Sequence, residues 1–267
     1  MIVYDDNHTK VAEFSALGTR VAPDIAKLAC DVDVVMSCLP DAGAVEDVYF
    51  GTGKVLGSAG RFATIIELST VAPETTARRL HEAGRQLGIS VLDVAISGST
   101  LAAESGTLTL FGGGEVLVFE AAQPIFRAIA AQWFHMGQNG SGVAMKLVVN
   151  TLLGLGMQAI AESVALGVGL GLSRDLLLDT LAKTAVVAQA HAGKLASAKR
   201  NDYTPQFPVR LMRKDFGLIL NEAANLGLSM PATEAAAAIN SEEDAGGREE
   251  DFSAVIRRME QAVRKPA

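Results

Sequence analysis

Cysteine is scarce in this chain: Cys30 and Cys38 are the only two in 267 residues. Their spacing is neither that of a metal-ligand pair nor that of a redox pair, so no disulfide or metal framework organises the fold. Each lies in or beside an apolar segment, and a reduced core thiol is expected at both. Basic clusters are missing too. A net charge of −7 leaves nothing to neutralise a phosphate backbone or an anionic bilayer, which excludes nucleic acid and membrane surfaces as partners. The four histidines, His8, His81, His135 and His191, stand at no ligand spacing, and no metal site is expected. A secretory leader is not indicated either: the opening Met-Ile-Val-Tyr-Asp-Asp-Asn-His carries Asp5 and Asp6 where such a leader carries basic residues. The most apolar stretch, Val143 to Leu172, contains Lys146, Asn150, Glu162 and several glycines, which marks a buried helix and not a membrane span. A cytoplasmic protein with a small-molecule partner is the expectation.

What is present is a globular composition, 49% hydrophobic and 20% charged, in a chain long enough for two cores. Up to about residue 136, short β-branched runs alternate with helical patterns, as in a parallel α/β sheet. The expected strands are Ile2 to Tyr4, Val32 to Leu39, Thr64 to Leu68, Val91 to Ala95, Thr107 to Phe111 and Trp133 to His135. Helical patterns include Asn7 to Leu17, Pro73 to Leu87 and Val116 to Ala130. From Gly137 the texture changes. Helices only are expected: a long one from Gly142 to about Gly169, then Arg174 to Ala182, Val187 to Lys199, Val209 to Leu226, Met230 to Ala245 and a last one after Phe252. The division is therefore an α/β domain over 1–136 and an all-α domain over 137–267.

Lys146 is the most informative residue. It sits in an apolar helical run just after the glycine-rich turn Gly137 to Gly142, where Ser141 can cap the helix. Its neighbours three and four positions away are Gly142, Val143, Val149 and Asn150, so no polar stripe carries it into solvent and it is expected to face a cleft. The helix dipole and partial burial both disfavour its charged form, which suits proton exchange with an alcohol.

Three strand ends supply further polar groups. Val35 to Leu39 stops at Pro40, which opens a loop at the strand's C-terminal edge, where ligands sit in open α/β sheets. The next strand ends in Ser69-Thr70 before Pro73, whose ordinary reading is an N-cap. The third ends in Ser97-Gly98-Ser99-Thr100, where a hydroxyl beside exposed glycine N–H groups can hold a carboxylate. Gly112-Gly113-Gly114-Glu115 is expected to be a plain turn. Gly154-Leu-Gly156-Met-Gln-Ala159 matches the dinucleotide pattern G-x-G-x-x-A, but no strand precedes it, and helix packing is expected there.

Taken in order, Leu39-Pro40, Ser69-Thr70-Val-Ala-Pro73, Asp93-Val-Ala-Ile-Ser97-Gly98, Gly106-Thr-Leu-Thr109, Gly140-Ser-Gly-Val-Ala-Met-Lys146-Leu-Val-Val-Asn150, Leu211-Met-Arg-Lys214-Asp215 and Asp251-Phe-Ser-Ala-Val-Ile256 resemble the β-hydroxyacid dehydrogenase family. That family includes 3-hydroxyisobutyrate and tartronate semialdehyde dehydrogenases. The resemblance covers nearly the whole chain. It implies a Rossmann-type domain followed by an all-α domain of the 6-phosphogluconate dehydrogenase type, and an NAD(P)-dependent oxidoreductase that interconverts a small 3-hydroxy acid and its semialdehyde. It implies Lys146 as catalytic acid/base, Asn150 as a substrate-placing residue and Ser97 with Gly98 as the carboxylate site. Leu39, Pro40 and Thr70 match cofactor-contacting positions, and Lys214 matches a lysine beside the closed cofactor site. A homo-oligomer is also expected, because the run from Leu147 to Leu172 is apolar on nearly all sides.

The chain departs from the family pattern in several places. Relatives begin with a strand, a G-x-G-x-x-G turn and a helix; this chain starts at what looks like the second strand, so the Rossmann-type domain is read as incomplete at its N-terminus, through a start assigned too late or a true loss. On that reading the sheet lacks its middle strand, the 267-residue chain binds NAD weakly, and its first half is the less stable one. Asp5, with Asp6, closes the opening strand where a ribose would lie; a carboxylate there accepts from a 2′-hydroxyl and repels a 2′-phosphate, which favours NAD over NADP. Lys183 to Ala188 replaces a serine- and arginine-containing segment of many relatives, and Ser99 replaces a common glycine, so substrate identity stays open. A non-catalytic homologue that has lost cofactor binding and an imine reductase on the same scaffold are the competing readings.

Overall fold

The computed structural model describes residues 1–263, apart from the side chains of His8 and Thr75. By compactness the chain divides into two units, Met1–Lys146 and Leu147–Ala267.

The first unit has seven strands: β1 (Ile2–Val3), β2 (Arg20–Val21), β3 (Val34–Ser37), β4 (Thr64–Glu67), β5 (Ser90–Ser97), β6 (Leu108–Gly113) and β7 (Ala130–Gly137). They form two sheets. β1 and β2 pair in parallel by themselves, and β3 to β7 make a five-stranded sheet in sequence order. No strand of the first sheet pairs with a strand of the second. β3, β4 and β5 are parallel, and so are β6 and β7. The pairing of β5 with β6 is antiparallel, which corrects the expectation of a wholly parallel sheet. Only the short helix Thr100–Glu104 lies between those two strands, too little chain for a crossover, so β6 returns beside β5 as a hairpin.

Alternation along the strands sends successive residues to opposite faces. Val35, Ile65 and Val91 pack with Val45, Tyr49 and Leu80 from the helices Ala42–Tyr49 and Arg78–Leu87, and with Val143. Ile66, Leu92, Val94 and Leu110 pack on the other face with Phe119 and Phe126. Both faces are therefore covered, as a three-layer α/β unit requires.

Several local readings change. Cys30 and Cys38 are exposed, not core thiols: Cys30 is the last residue of the helix Ile25–Cys30 and Cys38 follows the end of β3. Gly112 and Gly113 belong to β6 and do not form a turn. A Cβ at Gly112 would lie 2.1 Å from the Phe119 ring, and one at Gly113 would lie 2.7 Å from the Asp93 carboxylate. Glycine is there to admit those neighbours; only Gly114, at φ +138°, turns the chain.

The second unit is helical. The helix Ser141–Gly169 continues into it, followed by Arg174–Leu181, Gln189–Lys199, Val209–Asn225, Pro231–Asp244 and, after a 3₁₀ turn at Phe252–Ala254, Val255–Gln261. Its core includes Met157, Val164, Leu178, Leu195, Met212, Phe216 and Ile256. Gly154 and Gly156 lie inside the long helix as expected. A Cβ at Gly154 would come 2.4 Å from the Phe216 ring and one at Gly156 2.6 Å from the His191 ring, so both are packing glycines. His191 is anchored through Nε2, 2.8 Å from the Leu153 carbonyl. The buried Asp251 carboxylate ties the chain's return together by accepting from Lys194 Nζ at 2.6 Å and from the amides of Gln206 and Phe207 at 3.0 and 3.1 Å.

Candidate active site

At the C-terminal edge of β3 and β4, a buried carboxylate organises both strand ends. Glu67 accepts from the Ser69 amide at 2.7 Å and bonds Ser37 Oγ, which in turn meets Tyr49 Oη. Ser69 Oγ accepts from the Leu39 amide at 2.7 Å. The Leu39-Pro40 and Ser69-Thr70 segments are thereby joined. Ser69 and Thr70 are not an N-cap: the helical segment starting at Pro73 has Ala72 at its cap position and no side-chain cap bond. Burial pushes the Glu67 carboxyl up, against the opposing effect of the Ser37 and Ser69 hydrogen bonds. Burial, and then the charge of Glu67, raise the Tyr49 phenol well above its ordinary value.

Ser97 is the last residue of β5 and pairs in register with Thr109 of β6. Gly98 follows at φ +142°, where a Cβ would come 2.8 Å from Leu108 Cδ2 and 3.0 Å from Ala102 Cβ. Only glycine accommodates that bend, which leaves Ser97 half-buried and the Gly98 backbone exposed.

Lys146 is 9% exposed in the second turn of the helix Ser141–Gly169. Ser141 is the first residue of that helix and not its cap. The capping carboxylate comes from β5. Asp93, 1% exposed, accepts from the Gly140 amide at 2.7 Å and from the Val143 amide at 3.1 Å. The helix start lies flush on the sheet: a Cβ at Gly142 would lie 2.4 Å from the carbonyl oxygens of Asp93 and Phe111. Burial raises the Asp93 carboxyl, with the amide hydrogen bonds acting in the opposite direction. The negative charge faces the positive end of the helix dipole, and the lysine is carried on a helix with a fixed start.

In the helical unit, Asn150 is wholly buried and its Nδ2 donates to Asp215 Oδ2 at 2.5 Å. Lys214 Nζ stands 3.0 Å from Asp215 Oδ1. Two of the residues singled out from the sequence, Asn150 and Lys214, therefore meet through a third that was not. Glu67, Asp93 and Asp215 were all missed as site residues. Their sequence trace was weak: an acidic residue inside or beside an apolar run, at Ile66-Glu67-Leu68, Leu92-Asp93-Val94 and Lys214-Asp215-Phe216.

Asp5 stands apart, just after β1 in the two-stranded sheet. It accepts from the Asn7 amide at 2.8 Å, a bond that holds its carboxyl below the ordinary range, with Lys10 adding to the effect. An ionised acceptor at a strand end fits a ribose diol. Leu39 and Pro40 follow the end of β3 and Thr70 follows that of β4, while the loop from β1 to the helix His8–Ala16 contains no glycine.

Residues 1–137 match the family described as the NAD binding domain of 6-phosphogluconate dehydrogenase. Residues 140–259 match the one described as the NAD-binding domain of NADP-dependent 3-hydroxyisobutyrate dehydrogenase. The chain is 34% identical over 264 residues to a 2-(hydroxymethyl)glutarate dehydrogenase of Eubacterium barkeri, covering 97% of this chain and 86% of that one. It is 34% identical to an NAD-dependent L-serine dehydrogenase of Pseudomonas aeruginosa, covering 86% of this chain and 79% of the relative. Among solved structures, a Mycobacterium tuberculosis 3-hydroxyisobutyrate dehydrogenase with L-serine superposes with a TM-score of 0.86 at 30% identity, over 96% of this chain and 89% of that chain. With both parts of the chain matched, this protein belongs to the β-hydroxyacid dehydrogenase family of NAD(P)-dependent oxidoreductases.

Proposed function

We propose that this protein interconverts a primary alcohol β to a carboxylate and the corresponding semialdehyde, with Lys146 moving the proton. The observation that carries this reading is a nearly buried lysine on a helix whose first turn is locked to β5 by Asp93. A bound nicotinamide supplies the hydride acceptor or donor; Asp5, Leu39, Pro40 and Thr70 would hold it, with residues 1–136 as the cofactor domain and 137–267 as the helical domain, where Lys214 stands. Ser97 Oγ and the Gly98 N–H hold the substrate carboxylate. Lys146 accepts the hydroxyl proton in oxidation and returns it to the carbonyl oxygen in reduction, while Asn150, one turn further along the same helix, places the substrate.

The names of the relatives support that class. 2-(Hydroxymethyl)glutarate, L-serine and 3-hydroxyisobutyrate share a CH₂OH group two carbons from a carboxylate and differ in the substituent between. All three are to be assayed with NAD and NADP at millimolar cofactor. Reduction of cofactor by at least one acid is expected, faster with NAD because the ionised Asp5 repels a 2′-phosphate. No turnover with any of the three would overturn the assignment.

Assembly follows from the long helix. Val148, Leu152 and Leu166, 57 to 70% exposed, line one side of it at helical spacing. Such an apolar stripe is what an isologous subunit contact covers, and a cytoplasmic homo-oligomer is the proposed state. Light scattering at micromolar concentration should give a dimer or larger; a strictly monomeric species would sink the idea.

A further inference from the structure

Asn150 is wholly buried, and only half of its amide is accounted for. The Nδ2 group donates to Asp215 Oδ2 at 2.5 Å, whereas Oδ1, equally buried, has no hydrogen-bond partner among the described residues. Asp215 is itself 2% exposed, and its other oxygen, which accepts no hydrogen bond among the described residues, forms an ion pair with Lys214 Nζ at 3.0 Å. A carboxylate held by an ammonium offers lone pairs only, so the amide must turn its NH₂ towards Asp215 and its carbonyl away. A buried carbonyl without a donor is costly. We propose that Asp215 is a positioning residue that sets the polarity of Asn150, presenting its carbonyl as an acceptor for the substrate's alcohol O–H. Lys214 keeps Asp215 an acceptor by balancing its charge.

This inference rests on the reading above that Asn150 meets the substrate, and it deepens that reading. Asn150 receives the hydroxyl, and the carboxylate is left to Ser97 and Gly98. In the opposite arrangement the second N–H of the Asn150 amide, which the bond to Asp215 leaves over, donates to the carboxylate.

A charge relocation separates the two. In Asn150→Asp two carboxylates face each other, and kcat/KM should fall by roughly 10²-fold or more. In Asp215→Asn the amide polarity is no longer imposed, and a fall of about tenfold is expected. The double variant Asn150→Asp/Asp215→Asn restores a donor at 215 and an obligate acceptor at 150, so it should recover at least about tenfold over Asn150→Asp. An Asn150 that donates to the substrate carboxylate would leave the double variant as poor as Asn150→Asp, because a carboxylate would then face a carboxylate; that result overturns the proposal. A second readout needs neither cofactor nor turnover. In protein labelled with ¹⁵N-asparagine, the Asn150 side-chain amide signals, identified by their loss in Asn150→Asp, should be protected from exchange in the wild type. Unprotected signals there overturn the proposal even if the 215 variants do not fold. Protected signals in a wild type that turns over none of the three acids would support the Asp215 geometry while the functional assignment failed.

Discussion

Lys146→Ala is expected to lower kcat for oxidation of the accepted 3-hydroxy acid by at least about 10²-fold, with a much smaller effect on cofactor binding. The expectation rests on where the amine is and how it is held. At 9% exposure it lies largely out of water, where an ammonium that donates to the oxygen of a developing alkoxide acts in a low dielectric. Its helix cannot rotate freely to compensate, because Gly142 sits against the backbone of β5 and β6 and Asp93 takes the first-turn amides. Alanine keeps the helix and removes only the proton carrier. The measurement is kcat and KM for acid and cofactor in both proteins, with cofactor at millimolar concentration. Turnover within a few fold of the wild type would remove this lysine from the mechanism.

The parts of the candidate site that are legible in the sequence are those whose chemistry is local. Lys146 betrays itself by standing in an apolar helical run, Pro40 by ending a strand, and Gly98 by following a hydroxyl at a strand end. The long helix and its successors were legible as well, since their apolar positions repeat at helical spacing over many turns. What escaped notice depends on distant partners. Ser69 looks like a cap because Pro73 follows, yet its hydroxyl is taken by the Leu39 amide from the neighbouring strand end. Gly112 and Gly113 look like a turn, yet they continue β6 because Phe119 and Asp93 occupy the space of their missing side chains. Asp93 and Asp215 act on amides 47 and 65 residues away, a relation that periodicity and propensity do not record. The β5–β6 hairpin was missed for a related reason: its direction follows from the length of the connection and not from the composition of the strands.

Asp93→Ala should be among the most destabilising single changes in the α/β unit, by roughly 3 kcal/mol, because it takes the acceptor from the buried Gly140 and Val143 amides. Activity should fall with stability, by about tenfold or more, since a shifted helix start carries Lys146 out of line with its substrate. Asp93→Asn separates charge from shape. It keeps one acceptor, turns an NH₂ towards the other amide, and should cost about 1–2 kcal/mol. The pH dependence then has a definite sign. Burial raises the Asp93 carboxyl in the folded protein, so over the interval above the ordinary carboxylate value the folded state binds more protons at this site than the unfolded state does. Stability contributed by the site is therefore present at low pH and falls as pH rises through the folded value. Glu67, raised by burial as well, acts in the same direction in both proteins and cancels from their difference. Denaturant unfolding of wild type and Asp93→Asn from acid to neutral pH should show the penalty of the substitution shrinking as pH rises. A penalty that grows over that range would mean that the two amides outweigh burial and that the ionised carboxylate is the form the fold prefers.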